Sequence, residues 1–229
     1  MNNKYSKLLT VILIIAIVGI VATIGYFVYD LYVVKTKKDK AQDVLEQFSS
    51  RSIQRETENK DNENNTGEVQ NPESLLNTVE TEIQTKENAT SSEKVYMEGY
   101  EVMGTIQIPK TGVNLPILEK VTKKSLETSV AILYPEGAPL NQEGNITIAG
   151  HNYRNGLFFS DNKKLSKGDT IKITDQLGNT VTYEIYDTFI TTPNDADYMV
   201  RDTQGRKEIS LSTCTDDSSK RLIILAAEK

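Results

Sequence analysis

The 229-residue chain carries 26 Lys and Arg against 32 Asp and Glu, a net charge of −6, with one cysteine and one histidine. A single cysteine excludes an internal disulfide and a cysteine-rich zinc centre, and a single histidine leaves few zinc ligands. No metal or other cofactor is therefore expected, although carboxylate sites for hard cations stay open.

Charge is unevenly spread, at about +4 over residues 1–40, about −7 over 41–94 and about −3 over 95–229. With nothing strongly basic past the N-terminus, no nucleic-acid partner is expected. Leu8 through Tyr29 holds no charge over 22 residues. At a helical rise of about 1.5 Å per residue that is roughly 33 Å, enough to cross a hydrocarbon core of about 30 Å. Tyr26, Tyr29 and Tyr32 suit an interfacial aromatic belt. A cleaved signal peptide is the competing reading, but the run is long and lacks a small-x-small site near its end. The chain is thus expected to begin with a cytoplasmic tail (1–7) and a transmembrane signal anchor (8–34). Lys4 and Lys7 precede the span, whereas Lys35, Lys37, Lys38 and Lys40 follow it. The positive-inside count alone puts the C-terminal side in the cytoplasm, yet long domains cross largely regardless of flanking charge.

Residues 35–94 read as a polar stalk, largely disordered. Arg51 to Asn71 is almost free of apolar residues and cannot bury enough surface to offset the entropy of ordering, which predicts disorder or weak helix. Asp39 to Phe48 is expected to prolong the membrane helix by a few turns. Leu75, Leu76, Val79 and Ile83 fall near helical spacing. They read either as a short amphipathic helix over Asn71 to Thr85 or as nascent helix in a solvated linker.

From residue 95 to 229 the pattern becomes that of one β domain, long enough for a single core. Gly104 to Pro109 alternates like a strand stopped by proline, and Val113 to Leu118 follows the turn Lys110-Thr111-Gly112, giving a hairpin with an edge position at Pro116. Lys123 to Thr128 predicts one or two helical turns. Asn145 to Ala149 alternates and runs into Gly150-His151, and Phe158 to Leu165 predicts a short helix. Thr170 to Thr174 and Thr180 to Ile190 form a second hairpin around Asp175 to Asn179. Glu208 to Thr213 and Arg221 to Ala227 are strands flanking a polar loop. Seven or eight short strands with one to three short helices predict a mainly β fold, a closed or nearly closed barrel, which removes exposed edges.

The sole cysteine, Cys214, ends Leu211-Ser212-Thr213-Cys214, seven residues before Arg221, and the sole histidine, His151, lies 63 residues upstream. A thiol is a weak nucleophile at its free pKa and needs a base or a cation beside it. Both are available here. If the last two strands pair antiparallel across their loop, thiol and guanidinium emerge at the same rim. Gly150 permits either a close backbone approach or a turn. Each residue also has an ordinary reading: a buried small hydrophobe for Cys214, a surface histidine, a solvated strand-end arginine, and for Thr213 a β-branched strand residue.

These residues resemble the sortase family, the membrane-anchored cysteine transpeptidases of mainly Gram-positive bacteria. The resemblance covers Gly104 to Ala227 and the N-terminal anchor, and rests on Ala149-Gly150-His151, on the Leu-x-Thr-Cys pattern ending at Cys214, and on Arg221 opening the last strand. It implies a sortase-like eight-stranded barrel as the catalytic domain. The implied partners are exported proteins with a C-terminal Leu-Pro-x-Thr-Gly-like sorting signal, and a cell-wall precursor or other amine as acceptor. Cys214 would attack the carbonyl between Thr and Gly, His151 would move the proton, Arg221 would hold the backbone and oxyanion, and Thr213 would help shape the pocket.

Within the family, residues 41–103 carry no Asp-Pro-aromatic lid signature of the pilin-polymerising enzymes. Thr191 to Arg206 is too short and too polar for the long helix of class B, although Leu211-Ser212-Thr213-Cys214 resembles that class. A wall-anchoring enzyme of the housekeeping or a minor class is expected. Papain-like enzymes place cysteine before histidine, and the cell-wall cross-linking transpeptidases carry Ser-His-Gly-Cys, which is absent here. The remaining alternatives are a pilin-polymerising sortase and a non-enzymatic, membrane-tethered β domain with a buried, inert Cys214.

Overall fold

The structure, a computed structural model, describes residues 3–63 and 94–229. It divides into two units, residues 1–41 and 42–229. Helix α1 runs over Asn3–Glu63. Its stretch from Leu8 is long and apolar enough to cross a membrane, and the large side chains Leu8 to Tyr32 are all exposed. The stalk expected from residue 35 is thus helical as far as Glu63, where its many Lys, Glu, Gln and Arg are good helix formers. The rest of the stalk, with the helix expected over Asn71 to Thr85, lies outside the described residues.

A two-residue strand β1 (Tyr96–Met97) folds onto β2 (Tyr100–Ile108) through Glu98 and Gly99. Both take positive φ, at 52° and 89°, the primed turn that matches strand twist. Strand β2 makes the expected hairpin with β3 (Val113–Leu118). The short helix α2 (Lys123–Thr128) then leads to β4 (Val130–Tyr134), which lies parallel to β3. Thr122 and Ser125 cap α2 reciprocally. Pro116 sits where β3 has only β2 beside it, since β4 pairs from Ile117 onward. After β5 (Gly144–Ala149) come β6 (Thr170–Asp175), β7 (Thr180–Thr191), β8 (Lys207–Cys214) and β9 (Arg221–Glu228).

The strands lie in the order β1-β2-β3-β4-β5-β8-β9-β7-β6, and β6 returns to pair with β2. Leaving aside the short β1, that is a closed eight-stranded barrel. Its interior is filled mainly by isoleucines, among them Ile106, Ile117, Ile148, Ile171, Ile185 and Ile209, all fully buried.

Strand β8 is buried on both faces. Ile209 and Leu211 alternate into the barrel, while Glu208, Ser210 and Ser212 face out beneath the 192–206 segment. That segment seats Tyr198 on Ile223 and Leu225. Arg201 fastens it, donating to Glu208 at 2.7 and 2.9 Å, to the Tyr198 carbonyl at 2.7 Å and to Ser210 Oγ at 2.6 Å.

Within the barrel one expected element differs from the structure, and one strand is unexpected. Phe158 to Leu165 is not a helix: only a 3-10 turn forms, at Asn162–Lys164, and Phe158 has a φ of 52° that no helix tolerates. Leu157, Phe158 and Phe159 are all buried, and seating three consecutive large side chains outweighs the weak helical preference of the segment. Strand β4 goes unmarked by alternation because Val130, Ala131 and Ile132 are all buried, so it reads as a continuous apolar run.

Candidate active site

Strand β5 pairs with β8 in parallel up to Ala149↔Ser212. Two bonds carry the pairing onward: the Gly150 N–H donates to the Ser212 carbonyl at 3.1 Å, and Thr213 Oγ1 donates to the Gly150 carbonyl at 2.7 Å. Aligned residues of adjacent strands share a face, so this register sets His151 beside Cys214. On its other side, antiparallel pairing places Cys214 directly opposite Arg221. Such pairs hold their Cβ atoms about 5 Å apart. His151, just past the end of β5, thus follows on beside Cys214 at the end of β8, and Cys214 faces Arg221 of β9; all three residues are half-buried. Thr191 of β7 pairs with Arg221 on its other side and bonds Asp195.

Cys214 lines a cleft of about 270 Å³ with Asn152, Phe159, Ile190, Thr213 and Leu222 among its walls. Thr213 serves two ends there: it faces the cleft and its hydroxyl is spent on the carbonyl that precedes His151. Gly150 meets the close-approach reading rather than the turn. A Cβ on it would lie 2.7 Å from Phe159 Cδ2 and 2.9 Å from Val130 Cγ1, and its φ is not in the left-handed region.

Four residues absent from the sequence reading complete the rim. The Asn152 amide donates to the Cys214 carbonyl at 3.0 Å and to Asp216 Oδ1 at 2.9 Å, tying the residue after the imidazole to the loop after the thiol. Lys163 reaches Asp216 from the far wall at 2.7 Å. The Lys163 ammonium first, and then the Asn152 amide, hold the Asp216 carboxyl below the usual carboxylate range. The Tyr153 ring lies against His151, with centroids 4.8 Å apart. Their only sequence signal is adjacency to His151 and Cys214, while Lys163 has none. Among the described residues no group of three or more His, Cys, Asp or Glu could hold a metal.

A thiol that lines a cleft, with a histidine and an arginine on the two neighbouring chain segments, has the residue types that nucleophilic attack on a carbonyl requires. A sortase-domain family profile matches residues 106–229. Sortase A of Bacillus anthracis is 34% identical over 127 residues, covering 54% of this chain and 58% of that protein. Sortase D of Bacillus subtilis is 29% identical over 129 residues, 54% of this chain and 62% of that one. The chain therefore spans somewhat over half the length of these relatives. Among solved structures, the sortase D5 transpeptidase of Clostridium perfringens superposes with a TM-score of 0.53 at 32% identity, covering 65% of this chain and 88% of its own. Sortase A of Corynebacterium diphtheriae, a lid mutant, gives 0.52 at 28% identity over 62% and 74%. With the profile match covering more than half of its residues on the same closed barrel, the chain belongs to the sortase family, whose members are cysteine transpeptidases.

Proposed function

We propose that this chain is a cysteine transpeptidase that cleaves a C-terminal Leu-Pro-x-Thr-Gly-like sorting signal between Thr and Gly and passes the protein to a cell-wall amine. The observation that carries this reading is Cys214, which lines a cleft and stands directly opposite Arg221, while the bonds from Gly150 to β8 bring the chain before His151 alongside it. A buried, inert cysteine would not line that cleft, which weighs against a purely binding domain.

In the proposed reaction the Cys214 thiolate attacks the Thr carbonyl carbon, and Arg221 holds the oxygen as its charge develops. The C–N bond breaks, His151 gives the leaving amine its proton, and a thioacyl-enzyme remains. An incoming amine then attacks the thioester and loses its proton to His151 as the C–S bond breaks, which restores Cys214. Water in place of the amine gives hydrolysis as leakage. Thr213 shapes the wall beside the nucleophile and locks the carbonyl before His151.

The test is mass spectrometry of the full chain in detergent with a panel of Leu-Pro-x-Thr peptides and an amine, beside Cys214→Ala. Cleavage after Thr with amine transfer, lost in the variant, is expected; an unreactive thiol and intact peptides would return the chain to a tethered binding domain. Residues 8–34 are proposed as a single-pass anchor with the barrel outside the cell. An impermeant thiol reagent should then modify Cys214 on intact cells, and labelling only after lysis would reverse that topology.

A further inference from the structure

We propose that Asn152 is a positioning residue for Cys214: its side-chain amide supplies the last rung between β5 and β8 and holds the nucleophile's backbone to the loop that follows His151. The inference rests on Cys214 as the nucleophile and adds a residue that acts through it.

The carbonyls of residues two apart on a strand point to the same side, so the Cys214 carbonyl faces β5 as the Ser212 carbonyl does. Ser212 receives its bond from the Gly150 N–H at 3.1 Å. Strand β5 itself ends at Ala149, and by Asn152 the chain has turned into the loop where that residue bridges to Phe158. One rung further on, a side chain serves: Asn152 Nδ2 donates to the Cys214 carbonyl at 3.0 Å. Strand β8 is thereby tied at its final residue, the one that carries the thiol.

The amide has one orientation open to it. Its nitrogen faces two acceptors, the Cys214 carbonyl and Asp216 Oδ1 at 2.9 Å, and its oxygen accepts the Arg154 N–H at 3.1 Å. Turned over, it would set oxygen against oxygen twice and N–H against N–H once. The bond to Arg154 also closes a turn in which Arg154 takes a φ of 60°, a conformation uncommon outside glycine. Lys163 anchors Asp216 from the opposite wall at 2.7 Å. One side chain thus joins the turn after His151, the carbonyl of Cys214 and the loop beyond it. Because this action falls on the backbone of the nucleophile, its loss belongs in kcat.

The test measures peptide-to-amine transfer by the full chain in detergent, well below each variant's thermal midpoint so that unfolding does not enter. It compares Asn152→Ala, Asn152→Asp and the exchange of Asn152→Asp with Asp216→Asn, beside Cys214→Ala. Asn152→Ala should lose roughly tenfold in kcat with KM within about twofold. Asn152→Asp keeps the size of the side chain but turns an acceptor on the Cys214 carbonyl and a second charge on Asp216, so it should lose at least as much. The exchange restores a bond between positions 152 and 216 but not the one to Cys214, and it should stay low as well. Native kcat in either single variant, a change confined to KM, or recovery in the exchange would each overturn the positioning role. Asn152→Asp and the exchange decide the matter even if Asn152→Ala fails to fold. Transfer that persists in Cys214→Ala would instead remove the nucleophile reading beneath it.

Discussion

At the scale of single residues, the site depends on shapes that near-equivalents cannot reproduce. Arg221 faces Cys214 across a strand pair, and its planar fork can grip a peptide oxygen with two donors where an ammonium offers a point charge. Arg221→Lys should therefore lose about 10²–10³ in kcat at unchanged fold, and near-native turnover would remove the oxyanion role. Gly150 is held by space rather than by φ: the methyl of Gly150→Ala would sit within 2.9 Å of atoms of both Phe159 and Val130. We expect a loss of about 1–3 kcal/mol in urea unfolding, and slower transfer because Phe159 also lines the cleft. The sequence marks Cys214 and His151 because each is the sole residue of its type. It does not mark Asn152 or Tyr153, whose roles come from how the loop folds back.

At the scale of elements, alternation reveals strands that have one face in the barrel and one in water, such as β6. It is silent for β4, buried on both faces, and it suggests a helix at Phe158 where three neighbouring side chains are instead seated separately. The outer face of β8 shows why its polar residues do not disqualify it as a central strand. Glu208, with 1% of its side chain exposed, is ion-paired with Arg201 and Arg206 from the segment lying over it and accepts from the Tyr186 hydroxyl at 2.8 Å. Arg201→Met should leave that carboxylate short of a partner and cost about 3–5 kcal/mol in urea unfolding. A loss under about 1 kcal/mol would show that Arg206 and the Tyr186 hydroxyl together suffice.

At the scale of the molecule, charge is arranged so that stability depends on acid. Asp169 is held below the usual carboxylate range by Lys110 and Asp216 by Lys163, while the Thr215 and Ser219 hydroxyls bring Asp217 to about 2. Each folded value lies below its unfolded one, so each contribution is whole above about pH 4 and is lost as pH falls through the folded value. Thermal midpoints should be level from about pH 7 to 5 and fall between about pH 4 and 2, and high salt should flatten the part due to the lysine pairs. A midpoint unchanged at pH 2 would refute this. Tyr183 acts in the opposite direction: burial raises its phenol, so its contribution is whole below about pH 10 and lost as pH rises beyond. The strand order carries a last consequence, one of timing. Because β9 is inserted between β7 and β8, a chain halted before residue 221 holds its imidazole and its thiol but neither the guanidinium nor the strand that closes the seam. During synthesis the proposed centre is thus completed by the last strand of the barrel to emerge, and an unfinished chain lacks one of its three proposed members.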